Sequence, residues 1–222
     1  MNVLLVLAHP ERRSYNGAMF DTAVEALGAA GHAVITSDLY RMGFDPKSSR
    51  RNFTTVNDAD YLKLQMEELH ASEAGGFAAE VESEIAKIEA ADLMIWQFPL
   101  WWFALPAILK GWVDRVFAMG RTYGGGHIYE TGKFSGKRAW LSLTTGGPEA
   151  AYRADGFNGD LDAILRPVQR GILNFTGFSV LTPQVVYGPV RVDAEQRTAW
   201  LTAWAQRLSA IERESPISVG RY

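Results

Sequence analysis

The chain has 222 residues, 47% hydrophobic and 21% charged, which is the balance of a globular protein and excludes extended disorder. A formal net charge of −3 gives no electrostatic case for nucleic acid as the main partner. The absence of cysteine removes disulfides, thiol nucleophiles, thiolate metal sites and CxxC redox chemistry together, so any redox chemistry must be carried by a bound group.

One domain over residues 1–222 is the natural expectation at this length, and a cysteine-free chain fits a cytoplasmic setting. The apolar run 3–8 is too short for a membrane span, and the N-terminus lacks the basic region and cleavage site of a signal peptide. That run, apolar without alternation and ending at His9-Pro10, reads as a buried parallel strand. Ser14 is placed to cap a helix over 15–30 closed by Gly31, and a second strand follows over 33–39. Residues 42–76 form a long excursion, read as a surface insertion, with a helix around 58–72. Its acids Glu67, Glu68 and Glu73 suggest a solvated face. A helix over 77–91 carries Val81, Ile85 and Ile88 at spacings of four and three, and a third strand covers 92–97. Pro106 starts the next helix, with Ile108, Trp112, Val113 and Val116 as its apolar stripe. A glycine-rich loop leads to a fourth strand at 138–143, then a helix at 159–174 that Pro167 should kink. A fifth strand at 179–187 precedes a last helix at 193–211, which turns Trp200, Trp204, Leu208 and Ile211 inward.

Strand and helix thus alternate five times without linker or repeat. This predicts an α/β fold: an open five-stranded parallel sheet with helices on both faces, in the flavodoxin-like order 2-1-3-4-5. Ligands in such sheets sit beyond the carboxyl ends of the strands. Three loops therefore matter.

The first holds His9, Ser14, Tyr15 and Asn16 at a helix N-terminus, a chemistry suited to phosphate. Ser14 as a plain cap and His9 as a surface residue fit this loop equally well. The second reads Phe98-Pro99-Leu100-Trp101-Trp102-Phe103, and three consecutive aromatics at a strand end suit the edge of a flat conjugated ring. Core or subunit-interface packing is the alternative for any one of them. The third, Thr144-Thr145-Gly146-Gly147, offers hydroxyls and closely approachable amides, with the Tyr152 phenol just beyond. No GxGxxG, P-loop or GxSxG is present, and the four histidines lack ligand spacing, so no metal site is expected.

At these loops the sequence resembles the NAD(P)H:quinone oxidoreductases of the DT-diaphorase type. The matching stretches are VLAHPERRSYN, EAADLMIWQFPLWWFALPAILKGWVDRVF, TTGGPEAAY and GILNFTGFSVLTPQ. The resemblance implies a flavodoxin-like homodimer with sites at the subunit interface. It also implies bound FAD, with FMN as the lesser option, NAD(P)H as electron donor, and ping-pong hydride transfer through the flavin to a quinone. On that likeness His9, Ser14, Tyr15 and Asn16 hold the flavin's phosphates and ribityl chain. Pro99, Leu100, Trp101, Trp102, Phe103, Thr144, Thr145, Gly146 and Gly147 surround its ring. Tyr152 matches the catalytic tyrosine, and Arg197 matches a contact to the adenosine half. Trp102, Phe103 and Gly146, with Tyr123 and Phe175 from the partner subunit, shape the substrate pocket.

Some positions depart from the family. Asn158 stands where some members have a proton-accepting histidine, and it can hydrogen-bond but not titrate. Trp101 replaces a glutamine, Gly125 a pocket aromatic, and Gly120 an acid near the adenosine half. The other readings are an azo- or nitro-compound reductase, a flavodoxin-like electron carrier, and a regulatory subunit of a membrane cation transporter.

Overall fold

The computed structural model describes residues 1–221. Strand β1 (Asn2–Leu7) lies between β2 (Ala33–Asp38) and β3 (Leu93–Pro99), parallel to both. β4 (Arg138–Thr145) pairs with β3, and the full order is the predicted 2-1-3-4-5. Helices α1 (Tyr15–Ala29) and α6 (Ala194–Ser209) cover one face. There Val3, Leu5 and Leu7 pack with Met19, Phe20, Trp204 and Leu208. On the other face, Leu4 and Val6 meet α3 (Ala79–Ala90), α4 (Ala107–Val116) and α5 (Leu161–Val168) through Ile85, Trp112 and Leu165. Burial on both faces explains why β1 after Asn2, and β3 apart from Gln97, are apolar.

The fifth strand differs from its expected form. It is two segments, β5 (Ser179–Val180) and β6 (Gln184–Tyr187), both parallel to β4 on the same edge. Arg138 faces Ser179 whereas Ser142 faces Gln184, so the outer strand carries one extra residue, a bulge. Pro183 has no N–H for the ladder, and the Thr182 carbonyl accepts from Trp140 Nε1 at 2.7 Å and Arg207 Nη2 at 2.9 Å instead. The kink expected at Pro167 takes the form of a π-helical stretch, Gln169–Asn174, in which Phe175 N–H reaches back to the Arg170 carbonyl at 3.1 Å.

The excursion holds α2 (Leu64–Ala74) and is fastened to the body by Arg115 of α4, which is buried. Its guanidinium donates to Asn52 Oδ1 at 2.8 Å, the Asp45 carbonyl at 2.6 Å and Glu80 Oε1 at 2.5 Å. Gly111 permits the contact, since a Cβ there would fall 2.2 Å from the Pro46 carbonyl oxygen.

The expectation of a solvated acidic face on α2 is wrong for two of its three acids. Glu67 is buried and accepts the N–H groups of Asn57 at 2.7 Å and Asp58 at 3.0 Å. Glu68 is buried too, accepting from Met119 N–H at 2.8 Å and from the Tyr123 hydroxyl at 3.4 Å. Both carboxylates satisfy loop donors that have no other acceptor nearby, which outweighs hydration. The backbone donors from Asn57 and Asp58 hold the Glu67 carboxyl below its ordinary range, while burial raises that of Glu68.

A depressed folded-state pKa contributes stability above the unfolded carboxyl's pKa, and that stability is lost as pH falls through the folded value. Glu67→Gln should therefore lower the melting temperature at pH 7, with the gap to wild type closing in melts run progressively below pH ~4. A gap independent of pH would show that the carboxylate's charge plays no part.

Candidate functional site

The loops after β1, β3 and β4 converge on a cleft of about 550 Å³ at the carboxyl edge of the sheet. Each predicted loop supplies part of its lining: His9 with Ser14, Tyr15 and Asn16, then Pro99 through Phe103, then Thr144, Thr145 and Gly146. Tyr152 closes one side.

Ser14 caps α1 in extended conformation, its hydroxyl accepting from Gly17 N–H at 3.2 Å. The first-turn amides of Tyr15 and Asn16 have no intrahelical carbonyl to reach, so they and the positive end of the helix dipole are available to an anion. His9 Nδ1 lies 2.9 Å from the Glu11 carbonyl oxygen and 3.0 Å from the Glu11 amide nitrogen, which ties the ring to its own loop. The Tyr15 hydroxyl donates to the Arg197 carbonyl at 2.9 Å, and burial pushes its pKa up to about 12 against an opposing pull from the Arg197 charge.

The turn after β3 is strained. Ala104 N–H closes it on the Trp101 carbonyl at 3.0 Å, while Trp102 and Phe103 hold φ of 51° and 58°. Bulky residues in the left-handed region cost roughly 1–3 kcal/mol each and persist where surroundings or function require them. Among the described residues, the amides of Trp102 and Phe103 have no protein acceptor, nor does that of Gly146, which lines the same cleft. A Cβ built at Gly146 would meet no protein atom, so open space adjoins that amide. Three unspent N–H groups on two loops of the cleft, walled by aromatic rings, suit a flat heterocycle whose edges carry acceptors.

The remaining predicted residues lie around this cleft. Gly147 sits behind its wall, where a Cβ would come 3.3 Å from the Tyr152 ring and 3.6 Å from Asn158 Nδ2. Asn158 therefore flanks the Tyr152 loop and does not line the cleft. Arg197 borders an adjoining cavity of about 430 Å³, which shares Ser14, Tyr15, Pro189 and Val190 with the first. Its guanidinium is engaged by the carbonyls of Val192 at 2.5 Å and Pro189 at 3.4 Å. Tyr123 and Phe175 contact one another with ring centroids 6.2 Å apart, away from the cleft of their own chain. Pro189 and Val190 line the cleft without having been singled out. They follow β6 at the same sheet edge, the one signal that pointed to them.

A family model described as a flavodoxin-like fold matches residues 1–208. The chain is 44% identical to the NAD(P)H dehydrogenase [quinone] 1 of Rattus norvegicus, over 96% of this chain and 78% of that one. It is 43% identical to the ribosyldihydronicotinamide dehydrogenase [quinone] of the same organism, over 97% and 94%. The chain belongs to the NAD(P)H:quinone oxidoreductase family. Among solved structures, one from Klebsiella pneumoniae superposes with a TM-score of 0.94 at 40% identity, covering 98% of this chain and 87% of that one.

In this member of the family, the raised Tyr15 pKa keeps the phenol neutral as a donor to the Arg197 carbonyl across the neutral range. The absorbance difference between wild type and Tyr15→Phe should stay flat through pH ~10, where an ordinary tyrosine ionises. A phenolate signal at that pH would show that Tyr15 is solvated.

Proposed function

We propose that the protein is a flavin-dependent NAD(P)H:quinone oxidoreductase whose flavin occupies the cleft. The observation that carries this reading is the set of unpartnered amides at Trp102, Phe103 and Gly146, on two loops that line the cleft next to a capped helix N-terminus. A flavin bound there supplies two-electron chemistry, taking hydride from a reduced nicotinamide and delivering it to a quinone. The amides orient the ring edges, and the Trp101–Phe103 loop excludes water from one side. At the far end, the Ser14-capped N-terminus of α1 holds phosphate through its free first-turn amides.

Tyr152 is the catalytic side chain in this reading. Its ring is buried at the cleft wall and stands 6.0 Å from that of Tyr187. Its phenol hydrogen-bonds the negative charge that develops on a reduced ring, while Asn158 steadies the loop without titrating. FAD is the preferred form, because the second cavity beside Arg197 continues the first and offers room for an adenosine half. The donor is a reduced nicotinamide and the acceptor a quinone, in line with the names of the two rat proteins.

The purified protein should be yellow and should release FAD on heating, identified by chromatography. It should also reduce menadione with NADH or NADPH. Tyr152→Phe should retain flavin and lower kcat by roughly tenfold to a hundredfold. A colourless protein that gains no flavin absorbance with FMN or FAD would sink the cofactor assignment, and unchanged turnover in Tyr152→Phe would remove its catalytic role.

A homodimer completes the site. Trp102 is 94% exposed and Phe157 98% exposed, which leaves large apolar surface bare beside a cleft that Tyr123 and Phe175 of the same chain do not reach. Sedimentation should give twice the chain mass, with Trp102→Glu shifting the population toward monomer. A monomeric wild type at micromolar concentration would refute the shared site.

A further inference from the structure

A chain of buried amides and hydroxyls runs beneath the cleft and reaches it at Thr144. Gln97 and Ser142 are fully buried, and Asn16 and Thr144 almost so. Ser142 Oγ donates to Gln97 Oε1 at 2.7 Å, and Gln97 Nε2 donates to Asn16 Oδ1 at 2.9 Å. Asn16 Nδ2 then donates to Thr144 Oγ1 at 2.9 Å.

Met19 sets the direction of this chain. Its thioether sulfur lies 3.7 Å from Gln97 Nε2 and can only accept, so an amide oxygen turned that way would face lone pair against lone pair. With the Gln97 amide fixed, Asn16 must offer its oxygen to Gln97 and its nitrogen to Thr144. The Thr144 hydroxyl thus receives a hydrogen bond from below and keeps its own hydrogen to give. Its neighbour is arranged the other way. Thr145 Oγ1 spends its hydrogen on the Gly147 carbonyl at 2.9 Å, which leaves only lone pairs. Two adjacent threonines therefore differ in polarity at the cleft, one a donor and one an acceptor.

Gln97 is the one polar side chain in β3, an otherwise apolar strand that an aliphatic residue would continue without any need for partners. It lines neither the cleft nor the adjoining cavity.

We propose that Gln97 is a positioning residue for the flavin site. Acting through Asn16, it holds the Thr144 hydroxyl as a donor toward a carbonyl or unprotonated nitrogen on the edge of the bound ring. Ser142 supports it from the far end. The assignment rests on the flavin reading above, and it explains why a strand buried on both faces keeps an amide.

A double-mutant cycle on flavin affinity tests it, with FMN and FAD titrated by fluorescence quenching alongside thermal melts. Gln97→Met keeps volume and removes the amide, and Thr144→Val keeps shape and removes the hydroxyl. Each should weaken binding about tenfold, the usual effect of one hydrogen bond. The double variant should bind no more weakly than Thr144→Val alone, because Gln97 works only through that hydroxyl. Additive losses of about a hundredfold, or a Gln97→Met protein that melts lower yet binds like wild type, would overturn the assignment. Ser142→Ala gives the same cycle with a gentler change: a loss of about threefold that vanishes in the Thr144→Val background supports the chain, and a loss that persists there overturns it. Wild type that binds neither flavin would overturn the cofactor reading itself, whereas wild type that binds while Gln97→Met has no effect overturns only the role of Gln97.

Discussion

Burial of β1 and β3 on both faces is the constraint on which the molecule depends. Val3, Leu5 and Leu7 enter one helical layer, and Leu4, Val6 and Ala8 enter the other. Neither strand has a wet side, so polar function is confined to the strand ends. β1 pairs with β2 on one side and β3 on the other, so the loops leaving β1 and β3 turn to opposite faces and open a crevice between them. The cleft is thus a consequence of strand order before any particular residue lines it.

The crevice is then equipped by two costly arrangements. Trp102 and Phe103 are held in left-handed conformation, and their amides are left without protein partners. Beneath them, four buried polar side chains satisfy one another in sequence, which removes the desolvation penalty and gives the set a fixed orientation. Aromatic walls, oriented donors and an anion-binding helix end are complementary to a flat ring with a phosphate tail.

The excursion between β2 and α3 obeys the same accounting. Its loop amides would be orphaned against the body, and Glu67 and Glu68 are buried to receive them. Arg115 performs the converse task, donating to a carbonyl, an amide and a carboxylate in one place. Glu68 also joins α2 to the segment that carries Tyr123, so the excursion supports a residue proposed to complete the partner's site.

Strand and helix alternation, the cap at Ser14 and the three loops at one edge were readable in the linear sequence. Each depends on residues within a few positions of one another, where periodicity and capping chemistry act. The burial of Glu67 and Glu68, the splitting of the last strand at Pro183, the placement of Arg197 against carbonyls and the lining role of Val190 were not readable there. A glutamate on a helix looks solvated until the donors that demand it are folded against it, and those come from distant segments. The same holds for Gln97, whose amide direction is set by Met19 and whose purpose is set by Thr144. Local chemistry determined the elements and the ligand edge, while partners brought together from far along the chain decided which polar groups are buried, which way they point and which donors remain for a ligand.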